Sequence, residues 1–325
     1  MYLSFYGLKE KPFNATPDPK FLCLTPGHRE ALAQLVYSVR ENRGVFVLTG
    51  EVGTGKTTLL NALRQRLDGR AAVAFVFNST LRFDALLECV LEELGVPTPA
   101  SSPVQRFFAL RRFMLDRRSA GQSTVLILDE AQNLSAGTLE KIRLLSNFET
   151  PKEKLLQILL VGQPELRAKL ERRELRQLQQ RVELQCSLLP LSREQIRDYI
   201  QTRLRVAGAS GLELFTDEAQ DRIAAYAQGI PRRINILCDH CLVIGYADQR
   251  RRIDADIVGQ AIEALRGRAR RPALRPTSRA RTIWERWFLG RVAGAVLAGI
   301  AFWPARLEAT HLLTLARQVP DLFLR

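Results

Sequence analysis

Apolar residues along this chain follow two rhythms, and the change between them falls at Pro190. Before it, short and nearly unbroken apolar runs occupy residues 45–48, 72–77, 124–128, 157–161 and 186–189. Runs of that length without polar alternation are what strands look like when both faces are covered. Between them, residues 29–41, 58–64, 83–94, 104–119 and 139–147 place apolar side chains three and four apart, the helical period. Strand and helix in alternation predict an α/β fold built on a parallel five-stranded sheet. After Pro190 the strands stop. Ser192-Arg193-Glu194-Gln195 is a capping-box start for a helix to about Val206, and Thr216-Asp217-Glu218 opens a second that ends at Gly229. Pro231 heads a third helix, and Asp254 caps a fourth that ends near Leu265. The pattern therefore divides the chain into an α/β domain at 1–190 and an all-helical domain at 191–265.

The chemistry concentrates where strands end. Gly50-Glu51-Val52-Gly53-Thr54-Gly55-Lys56-Thr57-Thr58 fits G-x-x-x-x-G-K-[ST], with a predicted strand before it and a helix after it. The glycines let the backbone curl so that several N–H groups and a helix N-terminus face one anion. Lys56 is expected to reach the β- and γ-phosphates of ATP, and the Thr57 hydroxyl to bind Mg²⁺. A Gly-rich turn with no ligand is the bland alternative, and the flanking elements argue against it. The run at 124–128 ends in Asp129-Glu130. At a strand's C-terminal end, Asp129 can complete the Mg²⁺ shell while Glu130 orients or deprotonates the attacking water. Gln163, at the tip of the next run, either senses the γ-phosphate or hydrogen-bonds the turn before Pro164. Residues 166–183 are dense in arginine, and Arg176 or Arg181 is the candidate for a finger reaching a neighbouring subunit's nucleotide. Arg232, in the first turn of the third late helix, is the candidate for a nucleotide sensor across a domain cleft.

Charge changes the picture mainly at the end of the chain. Net charge is +14 over 325 residues. From Arg266 onward there are twelve arginines, no lysine and three acids, so +9 lies there and +5 on the first 265 residues. The globular part is only mildly basic, which makes nucleic acid the less favoured partner. The five cysteines include Cys238-Asp239-His240-Cys241, but no second pair completes a zinc site, and the helical spacing places both thiols on a core-facing side. No N-terminal leader pattern precedes the globular part, which points to a cytoplasmic ATPase domain with reduced thiols.

Within residues 1–44, Tyr6, Pro12, Phe13, Pro17, Pro19, Phe21 and Pro26 suit an extended segment packed along the domain surface, where it lines a base pocket or merely packs. Phe5-Tyr6-Gly7-Leu8, Pro12-Phe13 and Thr16-Pro17-Asp18-Pro19 resemble the opening of the AAA+ ATPases of the general secretion pathway protein A (ExeA-type) family, a group with relatives at exosortase loci. So do the phosphate loop, Asp129-Glu130-Ala131-Gln132-Asn133-Leu134, residues 144–150, Gly162-Gln163-Pro164-Glu165-Leu166 and Gly229-Ile230-Pro231-Arg232-Arg233-Ile234-Asn235. The likeness spans about residues 1–265. It implies a P-loop AAA+ domain, a helical lid, ATP hydrolysis, assembly into a ring or dimer, and service to an envelope export system through an inner-membrane partner, the B protein. Transposition ATPases of the TniB/TnsC kind are more distant cousins that bind DNA, and they supply the rival reading. A nucleotide-gated scaffold that scarcely hydrolyses ATP is a second.

The basic tail departs from that family. Residues 266–286 form an Arg-rich linker, and residues 287–325 contain an uncharged run at 292–303 that alone falls short of a membrane span. Trp284, Trp287 and Trp303 flank it as interfacial anchors would. A helix from Trp284 to Trp303 would be roughly 28 Å long, against about 30 Å of bilayer core. The expectation is a membrane-associated tail anchoring the ATPase at the inner membrane, with a surface-lying or buried helix as the alternatives.

Overall fold

Burial along one short run sets the layering of the protein. All six residues of β1 (Val45–Gly50) are inaccessible, and their side chains alternate between two separate apolar clusters. A computed structural model describes residues 2–14, 19–21, 23–67, 69–77, 81–97, 102–151, 153–209 and 213–267. Around β1 lie β2 (Ala71–Val76), β3 (Ser123–Leu128), β4 (Leu156–Gly162) and β5 (Val182–Leu188), all parallel in the order β2-β3-β4-β1-β5. Val45, Val47, Leu126, Leu128, Ile158 and Leu160 point to one layer, and Phe46, Leu48, Val125, Ile127, Leu159 and Val161 to the other. That is why the central strands read as continuous apolar runs.

Helices cover both faces in chain order. After a short opening helix, α1 (Tyr2–Tyr6), come α2 (Pro26–Arg40) and α3 (Lys56–Leu67), which cover the second layer. The first is covered by α4 (Phe83–Glu93), α5 (Pro103–Ser119), α6 (Ala136–Leu145), α7 (Glu165–Leu170) and α8 (Arg176–Gln179). Then α9 (Arg193–Val206), α10 (Asp217–Ala227), α11 (Pro231–Ala247) and α12 (Ala255–Leu265) enclose a third cluster of their own, which includes Cys238 and Cys241.

The opening segment differs from the extended run expected of it. Tyr2–Tyr6 is helical, and Tyr2, Tyr6, Leu8, Phe13 and Phe21 pack into the helical cluster rather than along the sheet. The prolines fall after that first turn, so nothing prevents it from coiling, and two tyrosines four apart give it an apolar face. Phe13 and Phe21 are nearly fully buried, each worth roughly 1.5–3 kcal/mol of transfer free energy.

Register places three chain ends level. Thr49 of β1 pairs with Gly162 of β4, and Leu128 of β3 with Leu160 of β4. The residues after β1, β3 and β4 therefore emerge together at the C-terminal edge of the sheet. In the strand order β1 lies between β4 and β5, so its crossover to β2 skips two strands and opens a crevice at that edge.

Candidate active site

The loop after β1 folds back on itself before α3 begins. Thr54 donates to the Glu51 carbonyl twice, from its N–H (3.2 Å) and from its hydroxyl (2.9 Å). Gly53 and Gly55 take positive φ, +85° and +97°, where a side chain would be strained. A Cβ on Gly50 would sit 2.7 Å from the Thr54 hydroxyl, and one on Gly53 would sit 2.7 Å from the Cβ of Arg232. Val52 on the loop and Thr57 in the first turn of α3 are exposed, while Lys56 is only 6% exposed. The Lys56 ammonium donates to the carbonyls of Gly50 (2.8 Å) and Glu51 (3.1 Å) and forms no salt bridge among the described residues. Burial lowers its pKa, opposed by the negative charge of Glu130 and Asp129. A buried cation satisfied only by carbonyls, at the start of a helix, is a place for an anion.

Asp129 and Glu130 follow β3. Asp129 is buried, its N–H donates to the Val76 carbonyl at 3.0 Å, and one carboxyl oxygen accepts from the Glu130 N–H at 2.9 Å. Burial raises its pKa, with that hydrogen bond pulling the other way. Glu130 sits at φ +53°, a left-handed conformation that costs a non-glycine residue roughly 1–2 kcal/mol. Two amides hold its carboxylate: Gln132 Nε2 at 2.6 Å and Gln163 Nε2 at 3.2 Å, both on Oε2. The Gln163 N–H in turn donates to Gln132 Oε1 at 3.1 Å, so the three side chains form one closed network. Burial raises the Glu130 carboxyl, but the two amides and Lys56 outweigh it and leave it below the usual glutamate range.

The helical domain closes the other side. Arg232, in the first turn of α11, donates its backbone N–H to the Gly53 carbonyl at 3.3 Å, and its exposed side chain lies over the loop. A cavity of about 400 Å³ runs from Gly53, Lys56, Thr57, Thr58 and Glu130 past Arg232 to Phe21, Cys23, Tyr199 and Arg203. Arg203 is 6% exposed and has no carboxylate partner among the described residues. Its guanidinium lies 5.0 Å from the Phe21 ring and 5.5 Å from the Tyr199 ring, and donates to the Pro12 carbonyl (2.5 Å) and the Tyr199 hydroxyl (2.9 Å). Tyr199 donates onward to Asn235 of α11 at 3.0 Å.

With this geometry in view, the comparisons with known proteins add an independent line of observation. Residues 39–170 match the model of the AAA domain family. The chain is 36% identical over 307 residues to general secretion pathway protein A of Aeromonas hydrophila, across 93% of this chain and 54% of that protein. Residues 39–170 thus carry an AAA domain, and the chain is similar to general secretion pathway protein A along most of its own length. The match is too long to be confined to residues 1–265. The chain spans about half the length of the curated relatives it matches. Among solved structures, the Aeropyrum pernix ORC2 protein, described in ADPNP-ADP complexes, superposes with a TM-score of 0.60 at 17% identity, covering 79% of this chain and 71% of that one. Cdc6p of Pyrobaculum aerophilum superposes at 0.57 and 20% identity, over 73% and 68%. At those identities the likeness speaks for the fold.

The residues singled out from sequence do not all meet. The loop residues 50–58, Asp129, Glu130, Gln163 and Arg232 converge at one edge of the sheet. Arg176 is exposed at the start of α8, and the carbonyl of Arg181 lies near Gly44, before β1, at the opposite end of the sheet. Neither lines the cavity of its own chain. Gln132, His28, Tyr199 and Arg203 were not singled out. Gln132 stands four residues after a strand, just past the two acids, which was the available signal; Tyr199 and Arg203 share a face of α9 but nothing in their spacing distinguishes them from core and surface. Among the described residues no helix is long and apolar enough to cross a membrane. The linker beyond Gly267 and the Trp-flanked run at 292–303 lie outside the described residues.

Proposed function

We propose that this protein binds ATP with Mg²⁺ in the cavity between its sheet edge and α11, and hydrolyses it. One observation carries the reading: a buried, carbonyl-capped Lys56, two adjacent acids and a lid arginine meet around a loop whose glycines leave no room for side chains. That donor set fits a triphosphate and its metal. Gly50, Glu51, Val52, Gly53, Thr54 and Gly55 supply the curled backbone and Lys56 the cation. Thr57 and Asp129 would hold Mg²⁺, which when bound neutralises phosphate charge. Thr58 continues the helix whose N-terminus faces the phosphates. Glu130, held ionised by its two amides, takes the proton of the attacking water. Gln163 and Arg232 report the state of the γ-phosphate.

Assembly into a ring or dimer would let Arg176 or Arg181 reach a neighbour's nucleotide. In keeping with its relatives, the activity serves an envelope export system, with the B protein at the inner membrane as partner. Residues 1–190 form the ATPase domain and 191–265 the lid; 266–286 link them to a tail at 287–325 that attaches to the membrane, leaving the ATPase in the cytoplasm. Steady-state hydrolysis and ATP binding by purified Glu130→Gln test the core of this. Binding within about threefold of wild type with turnover reduced at least a hundredfold is expected; retained turnover removes Glu130 from its role.

A further inference from the structure

His28 is buried to 6% exposure, and both of its ring nitrogens are engaged. Nε2 lies 2.9 Å from the carbonyl oxygen of Thr54, inside the phosphate loop, and Nδ1 lies 2.6 Å from the hydroxyl of Thr25. A nitrogen that close to a carbonyl oxygen must carry the hydrogen. In the neutral ring Nδ1 is then bare and accepts from the Thr25 hydroxyl, so the tautomer is fixed from both sides. Burial lowers the ring's pKa, and the bond to Thr54 offsets part of that.

The consequence for the loop follows from peptide geometry. In a trans peptide the C=O and N–H point to opposite sides. A Thr54 carbonyl turned toward His28 therefore turns the Gly55 N–H away from it. Gly55 has φ +97°, and a peptide next to a glycine in that region can rotate at little cost unless something holds it. The His28 ring also packs against Gly55, where an added Cβ would sit 3.0 Å from Nε2. Thr25 caps the N-terminus of α2 and lines the cavity together with Cys23 and Leu24. One imidazole thus joins the loop to the segment at the far end of the same cavity.

We propose that His28 is a positioning residue: it locks the Thr54–Gly55 peptide so that the loop presents its N–H groups to phosphate, and ties that state to the segment carrying Thr25. The proposal rests on the reading of the cavity as a triphosphate site. Nothing in the phosphate-loop pattern demands a histidine at this place, since it lies more than twenty residues upstream.

The test measures binding by calorimetry on the full chain, with Mg·ATP and with Mg·tripolyphosphate, which has no base. His28→Gln keeps an N–H donor at nearly the reach of Nε2, whereas His28→Asn keeps only a group at the place of Nδ1. Expected is a loss of about tenfold for both ligands in His28→Asn, the size of one hydrogen bond, and recovery to within about threefold for tripolyphosphate in His28→Gln. Both variants matching wild type, or both failing alike while their thermal unfolding matches wild type, overturns the proposal. Wild type binding neither ligand overturns instead the reading of the cavity. Should a variant not fold, the wild type answers alone: with only three histidines in the chain, ¹⁵N-histidine spectra are readily assigned. A neutral Nε2–H ring for His28 at pH 7 is required, and an Nδ1–H or doubly protonated ring refutes the lock.

Discussion

Replacing Gln132 by Met keeps the length of the side chain and removes both of its amide bonds. One is the 2.6 Å bond to Glu130 Oε2, and the other is the 3.1 Å bond accepted from the Gln163 N–H. A hydrogen bond to a charged group is worth roughly 1.5–3 kcal/mol, but Glu130 is only partly buried, so water replaces part of it. About 1–2 kcal/mol of orientation remains to be lost, which corresponds to roughly 5–30-fold in rate if it acts at the transition state. The assay is steady-state ATP hydrolysis from pH 5 to 9. KM for ATP should stay within about threefold, because the hydrogen bonds of Lys56 run to the Gly50 and Glu51 carbonyls and not to Gln132. The pH dependence supplies an independent check. Donors to a carboxylate favour its ionised form, so removing one raises the Glu130 pKa and shifts the acid limb of kcat to higher pH. Gly162→Ala should act in the same direction from the other side, since its Cβ would meet Gln132 Oε1 at 2.6 Å and Leu166 Cδ2 at 3.0 Å. An unchanged or higher kcat, a loss confined to KM, or an acid limb moving down would refute the reasoning.

The remaining predictions concern stability and reactivity. Gly229→Ala places a Cβ 2.5 Å from the Leu191 carbonyl oxygen and 2.7 Å from its nitrogen at φ +76°; backbone cannot step aside, and a loss of about 2–4 kcal/mol should appear in the urea midpoint. His28 has a folded pKa below its ordinary value of about 6.5, so the unfolded chain binds the proton first as pH falls. Its contribution is complete above about pH 6.5 and is lost below it, down to the folded pKa; wild type should therefore weaken more than His28→Gln between pH 7 and 5.5. Cys238 and Cys241 are fully inaccessible and burial raises both thiols, Cys241 to about 12. Mapping of maleimide adducts at pH 8 should find both unlabelled until urea is added, and labelling of the native protein would contradict their burial.

Local signals were legible wherever one residue type does one job. The helix starts at Ser192, Thr216 and Asp254 each show the side chain accepting the N–H three residues on, as their spacing predicts. The central strands were legible because both faces are covered, which erases alternation. The strand order was not, because nothing in a buried apolar run says which neighbour it pairs with; only β5, at the edge, carries an alternating pattern, with Glu183, Gln185 and Ser187 exposed. The opening segment misled for a related reason: its aromatics announce burial without naming the partner surface, and that surface is formed by helices some two hundred residues later. At the site, motif residues contacting the expected phosphates could be found by spacing. Arg203 and His28 act through contacts across the fold, at separations that no local pattern encodes.

Those long-range contacts also explain why the cavity has the walls it has. Its floor is the sheet edge, whose core is independent of the helical domain's core, and the two meet around the loop. Arg232 approaches through its backbone bond to Gly53, and Ile230 packs at the place where a Gly53 Cβ would go. A side chain at position 53 would therefore push α11 off the loop as well as strain the turn. On the far side, Arg203 joins Pro12, Phe21 and Tyr199, and Tyr199 joins Asn235, three residues beyond Arg232 on the same helix. The opening segment is thus tied to α11 through α9, and α11 to the loop. A ligand filling the cavity would meet residues of all three walls, Phe21, Lys56 and Arg232 among them. Under the proposed function, that shared lining is the route by which nucleotide state would be coupled to the position of α11.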